Sequence, residues 1–142
     1  MIPAHSVPLR RPATQQTPFE VVVLFTGMRQ TAVALRKARE LTAEIGAQIL
    51  VLAPYVVPYP LPLYRPSVSS DFLRKRFELL IGDEARDTRV MIGLCRDRER
   101  FLEDTLPAAS TVVMRIEKRW MFSDSGRLAR RLSALGHNVV LV

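Results

Sequence analysis

The stretch VVMRIEKRWMFSDSGRLARR, residues 112–131, gathers the side chains most able to do chemistry. Arg115, Lys118 and Arg119 put three cations on one turn, and Ser123 and Ser125 add hydroxyls just before a helix-forming run. Such cations, together with hydroxyls and the unpaired amides of a helix amino terminus, suit a phosphate or another anion. Arg127 beside that terminus opposes the helix dipole by about 0.3–1 kcal/mol unless an anion offsets it. Against this stands a solvated or interface loop partly neutralised by Glu117 and Asp124, which is the reading the sequence favours. Arg127, Arg130 and Arg131 follow at i, i+3 and i+4, a basic helix face that nucleic acid phosphates could meet. No helix-turn-helix pattern, zinc-ligand spacing or RNA-binding aromatic motif accompanies it, so nucleic acid is not the expected partner.

The remaining candidates are weaker. Asp97, Glu99, Glu103 and Asp104 alternate with Arg96, Arg98 and Arg100, the pattern of a salt-bridged outer helix face rather than a catalytic acid pair. His5 and His137 make neither a metal site nor a relay, and no Ser, His and acid constellation is visible. No catalytic residue, no metal and no enzymatic activity is therefore expected. Trp120 and Phe122 read as packing or dimer anchors before they read as base-stacking groups. The single cysteine, Cys95, lies inside an apolar run and reads as a buried core thiol.

The elements that must position these groups follow from patterning. With 142 residues and 48% hydrophobic content, the chain has length for one domain with a real core. Residues 1–18 lack periodicity and are expected to form a disordered amino-terminal tail, leaving 19–142 as the folded domain. That tail resembles no secretory signal, so a cytoplasmic location is expected. The uncharged stretch 46–64 is close to membrane-spanning length, but Pro54, Pro58, Pro60 and Pro62 remove helix donors from its second half, and no membrane span is expected. The net charge of +7 is concentrated late, with six cations against Glu117 and Asp124 after residue 110.

Phe19–Phe25, FEVVVLF, is apolar on both faces, as a strand covered on each side must be. A helix follows with Leu35, Ala38, Leu41 and Ile45 as its apolar stripe and Gly46 as its stop. Ala47–Ala53 is the second strand, ended by the proline-rich segment, which is expected to cover the mouth of the sheet with Tyr55, Tyr59 and Tyr64 packed on neighbours. Ser69, Ser70 and Asp71 offer caps for a helix with Leu73, Phe77, Leu80 and Ile81 on one face, expected to run to about Arg86. Thr88–Cys95 is the third strand, and Asp97 caps a short helix whose Phe101, Leu102 and Leu106 reach inward before Pro107. Ser110–Met114 is the fourth strand, a helix with Leu128, Leu132 and Leu135 inside ends at Gly136, and NVVLV closes the chain. Strict alternation implies an α/β fold with one doubly wound, five-stranded parallel sheet and helices on both faces. In the order 3-2-1-4-5, a ligand crevice would lie between strands one and four, with Thr26, Gly27, Met28 and Arg29 on one wall and 115–126 on the other.

VVVLFTG before a helix, EIGAQI before strand two, VMIGLCRDR before a short helix, and STVVM with the terminal HNVVLV together resemble the universal stress protein family over residues 19–142. The resemblance implies a Rossmann-like sheet of the adenine nucleotide alpha hydrolase type, and a homodimer formed through the last strand. The apolar NVVLV edge gives that pairing a physical reason, and a further protein partner is compatible with it. Nucleotide-binding members carry an acidic residue at the end of strand one and a glycine-rich loop after strand four that lets main-chain amides approach phosphates. Mapped onto this chain, an anion or nucleotide site would take in Thr26, Gly27, Ala53, Arg115, Lys118, Ser125 and Gly126. Thr26 stands in place of the acid, Arg115 and Lys118 in place of the two loop glycines, and the loop is shorter. The chain thus resembles the branch that does not bind ATP. It is expected to be a non-enzymatic binding or regulatory domain without a resident cofactor, with ATP or another adenine nucleotide, or a simple anion, as the alternative ligand.

Overall fold

The computed structural model describes residues 19–59, 61–62, 70–82, 87–116 and 124–142. The proposed tail lies outside them, as do Glu117, Lys118, Arg119, Trp120, Phe122, Ser123, Tyr64 and Ser69. The elements are β1 (Glu20–Leu24), α1 (Met28–Ile45), β2 (Gln48–Val56), α2 (Ser70–Ile81), β3 (Thr88–Cys95), α3 (Arg98–Thr105), β4 (Thr111–Met114), α4 (Asp124–Ala134) and β5 (Asn138–Leu141). All strand pairs are parallel and the sheet order is β3-β2-β1-β4-β5, as the alternating pattern requires.

Side chains alternate between two apolar layers, which is why the central strands are apolar throughout. Val21, Val23, Ile49, Val51 and Val113 face α1 and α2, meeting Leu35, Ala38, Phe77 and Ile81. Val22, Leu24, Leu52, Val112 and Met114 face the other way, against Leu102 of α3 and Leu128 and Leu132 of α4.

Two boundaries and two burial assignments differ from the sequence reading, each for a physical reason. β2 continues through Pro54 to Val56. The carbonyl of Leu52 accepts from Phe25 N on the β1 side, so a donor at position 54 would also point that way, beyond the end of β1. Losing that donor therefore costs no ladder bond, while Pro54, Tyr55 and Val56 stay in register with Gly93, Leu94 and Cys95 of β3. α2 ends at Ile81, where Gly82 turns left-handed at φ 69° and Arg39 Nη2 donates to the Ile81 carbonyl at 2.9 Å; Arg86, its expected end, lies outside the described residues. Ile45 is 60% exposed and Leu135 is 47% exposed, although both continue an apolar stripe. α1, of 18 residues, is about 27 Å long against about 16 Å for the five residues of β1, so its last turn overhangs the sheet. Leu135 similarly lies just past the end of α4, where Gly136 (φ 96°) begins the return to β5.

Candidate functional site

The winding of the sheet reverses between β1 and β4, and the crevice above their carboxyl ends is the first place to look for a ligand. Val23 pairs with Val113, so Thr26 stands just above the end of β4. Its hydroxyl donates to the carbonyl of Arg115 at 3.3 Å, and its amide donates to the buried hydroxyl of Thr31 at 3.3 Å. Arg115 in turn aims Nη1 at the Val142 oxygen, 3.0 Å away, while Val142 N donates to the Met114 carbonyl at 3.0 Å. A chain of polar contacts therefore runs from the α1 entrance across β4 to the end of β5, using the groups that would otherwise face a ligand.

Gly27 opens α1 without any side-chain cap, at φ 157°. A Cβ there would run into the Gln30 amide, so glycine lets Gln30 fold back over the turn. Ser125 and Gly126 stand in the first turn of α4, half-buried and buried respectively. Lys118, the remaining loop cation of the expected site, is outside the described residues. Ala53 belongs to a different environment: it is buried on β2 and faces the layer packed by α1 and α2.

That side of the sheet holds a feature the sequence did not disclose. A recess of about 310 Å³ lies between the carboxyl ends of β1, β2 and β3 and the inner face of α2. Phe25 and Phe77 meet edge to face on its wall, with centroids 5.0 Å apart. Met28, Ala53 and Ile92 continue the apolar lining, and among the described residues Arg76 is its one charged member. No sequence window could reveal it, because its walls come from four elements and the β1–α1 turn.

Elsewhere the charged groups settle into structural roles. Asp97 caps α3 by accepting from the amides of Glu99 and Arg100. Glu99 and Glu103 pair with Arg131 of α4, at 3.8 and 2.6 Å, and so join α3 to a second helix. The carboxylate raises the already high pKa of Arg131 through its hydrogen bond and charge. Arg96 donates to the Val57 carbonyl at 2.9 Å and lies 4.0 Å from the centroid of the Tyr59 ring. Tyr59 is otherwise 79% exposed, so the expected packing of this tyrosine is limited to that arginine, whereas Tyr55 lines the recess. His137 is buried and its Nδ1 accepts from Ser110 N at 3.1 Å, tying the α4–β5 turn to the start of β4. Cys95 is buried, and burial together with Asp97 holds its thiol pKa above the ordinary value, against a smaller opposing effect of Arg98. This is the opposite of an activated nucleophile. Among the described residues there is no group of His, Cys, Asp and Glu that could hold a metal ion, and no helix long and apolar enough to cross a membrane.

No protein-family model and no curated protein matches the sequence. A solved structure of a universal stress protein in complex with cAMP is similar over 89% of this chain and 98% of its own, at 20% identity and a TM-score of 0.48. The fold assignment rests on the strand order and the two-sided helix packing described above.

Proposed function

We propose that the chain is a divergent universal-stress-protein-like domain that works by binding or regulation rather than by turnover, and that it does not hold ATP in the manner of the family's nucleotide-binding members. The observation that carries this reading is the self-bonded crevice: the Thr26 hydroxyl is committed to Arg115 O and the Arg115 guanidinium to Val142. A triphosphate would have to displace both contacts, and Thr26 lacks the charge with which a carboxylate holds ribose hydroxyls. The raised pKa of Cys95 and the structural engagement of His137 support a non-enzymatic role.

The same reading includes a homodimer built through β5. This strand is an edge of the sheet, and Leu141 at its carboxyl end is 58% exposed. Pairing two such edges would cover both the free ladder and the apolar side chains. A nucleic acid role is less well supported, since Arg131 is already engaged by Glu99 and Glu103.

A thermal-shift series with ATP, AMP, cAMP, polyphosphate and sulfate tests the proposal. Ligand at a hundred times its dissociation constant would add about 2.7 kcal/mol, a rise of several degrees. The expected ATP shift is below about 1 °C on that scale. A rise of several degrees that Arg115→Ala removes would establish the anion-binding alternative instead. Light scattering at two concentrations tests the dimer, and a monomer at both would remove it.

A further inference from the structure

The recess under α2 has a chemistry unlike that of the β1–β4 crevice. Its lining is almost all carbon, contributed by rings and aliphatic chains such as Phe25, Met28, Phe77 and Ile92. At about 310 Å³ it lies near the lower limit of small-molecule pockets, roughly 300 Å³, so a guest of about a dozen non-hydrogen atoms matches it. Among the described residues the rim carries one cation. Arg76 lies 5.8 Å from the centroid of the Phe72 ring, in the first turns of α2. Among the described residues, none supplies a carboxylate within salt-bridge reach of Arg76.

We propose that this recess binds a small apolar carboxylate, an aromatic or medium-chain acid whose carbon body lies between Phe77 and Ile92 and whose carboxylate meets Arg76. The guanidinium fork matches a carboxylate with two parallel hydrogen bonds, and a single rim charge calls for a single anionic group. A nucleobase fits poorly, since its ring nitrogens and exocyclic groups would be buried against carbon. A polyphosphate fits worse, with one cation for several charges. The site lies at the carboxyl ends of the strands, where α/β sheets bind ligands, but on the β2–β3 side of the reversal point. Its Phe25 and Met28 flank Thr26 and Gly27 of the β1–β4 crevice, so the ATP arm of the experiment distinguishes the two sites.

Calorimetric titration of the full chain with 3-phenylpropanoate, 3-phenylpropan-1-ol and acetate tests the assignment. For ligands this small the expected dissociation constant of the acid is about 0.1–5 mM. The alcohol should bind about five- to tenfold more weakly, and acetate should show no saturable binding. Arg76→Gln alters an exposed side chain and is expected to fold normally; it should bring the acid down to the alcohol's affinity. Ile92→Trp should abolish binding of both while circular dichroism stays native. Excess ATP should leave the acid's affinity unchanged. Three results would overturn the proposal: equal affinity for acid and alcohol, an Arg76→Gln variant that keeps the preference, or displacement by ATP, which would merge the recess with the nucleotide crevice. Absence of saturable binding by the acid would overturn it too.

Discussion

The carboxyl edge of the sheet is built in two contrasting ways on its two faces. On the α3 face, Gly93 of β3 carries no side chain, and the Phe101 ring fills the space that a Cβ would need. On the α2 face, one residue away, Ile92 borders a recess of about 310 Å³. Neighbouring residues of one strand thus meet a close-packed layer on one side and a concave apolar surface on the other. Room at this end of β3 depends on which helix covers it, and on the α3 side the Phe101 ring takes up the space beside Gly93.

Adding carbon to the two faces should therefore have unequal consequences. Gly93→Ala should give the largest effect, a loss of about 1–3 kcal/mol, because the Phe101 ring must leave its place. Ala53→Val adds more volume on the other face and should change stability by less than about 1 kcal/mol. Urea unfolding of both variants measures the difference, and equal losses would break the contrast between a filled and a concave face.

The polar crevice can be probed in the same way. Thr26→Val keeps the shape but deletes the hydroxyl that donates to Arg115 O, and should cost about 1 kcal/mol. A neutral result would mean that this contact does not hold the β1 and β4 ends together.

Much of this organisation was legible because it depends on local pattern. Val21 to Leu24 are buried on both sides of β1, as an unbroken apolar run implies, and Asp97 caps α3 as its position before a helical stripe suggests. Legibility ended where the outcome depended on distant neighbours. On local pattern Pro54 ends a strand, and only the position of β1, which has already ended beside it, lets β2 continue. Arg131 looks like part of a free basic face, yet its partners lie on α3, 28 residues away for Glu103. Arg115 follows directly on β4, as its place after STVVM implies, but its contact with Val142 could come only from the β4–β5 pairing. The recess was invisible for the same reason, since Phe25, Ala53, Phe77 and Ile92 are far apart in sequence.

The smallest expected effect concerns Cys95. Its thiol pKa is raised above 9.0, chiefly by burial, so the folded chain holds this proton more tightly than the unfolded chain does. That contribution is fully present below pH 9.0 and is lost as the pH rises through the higher folded value. Thermal midpoints of wild type and Cys95→Ala should accordingly draw closer between pH 7 and pH 10, measured in parallel. A gap that stays constant would place the thiol in a solvated setting.

An amide-resolved nuclear magnetic resonance titration with ATP tests most directly whether the crevice between β1 and β4 refuses a triphosphate. The expected result is no saturable shift at Thr26, Gly27, Ser125 or Gly126 up to millimolar nucleotide, with the amide of Val142 equally unmoved. Saturable shifts at those residues, together with movement of Val142 as Arg115 lets go of it, would contradict the proposal.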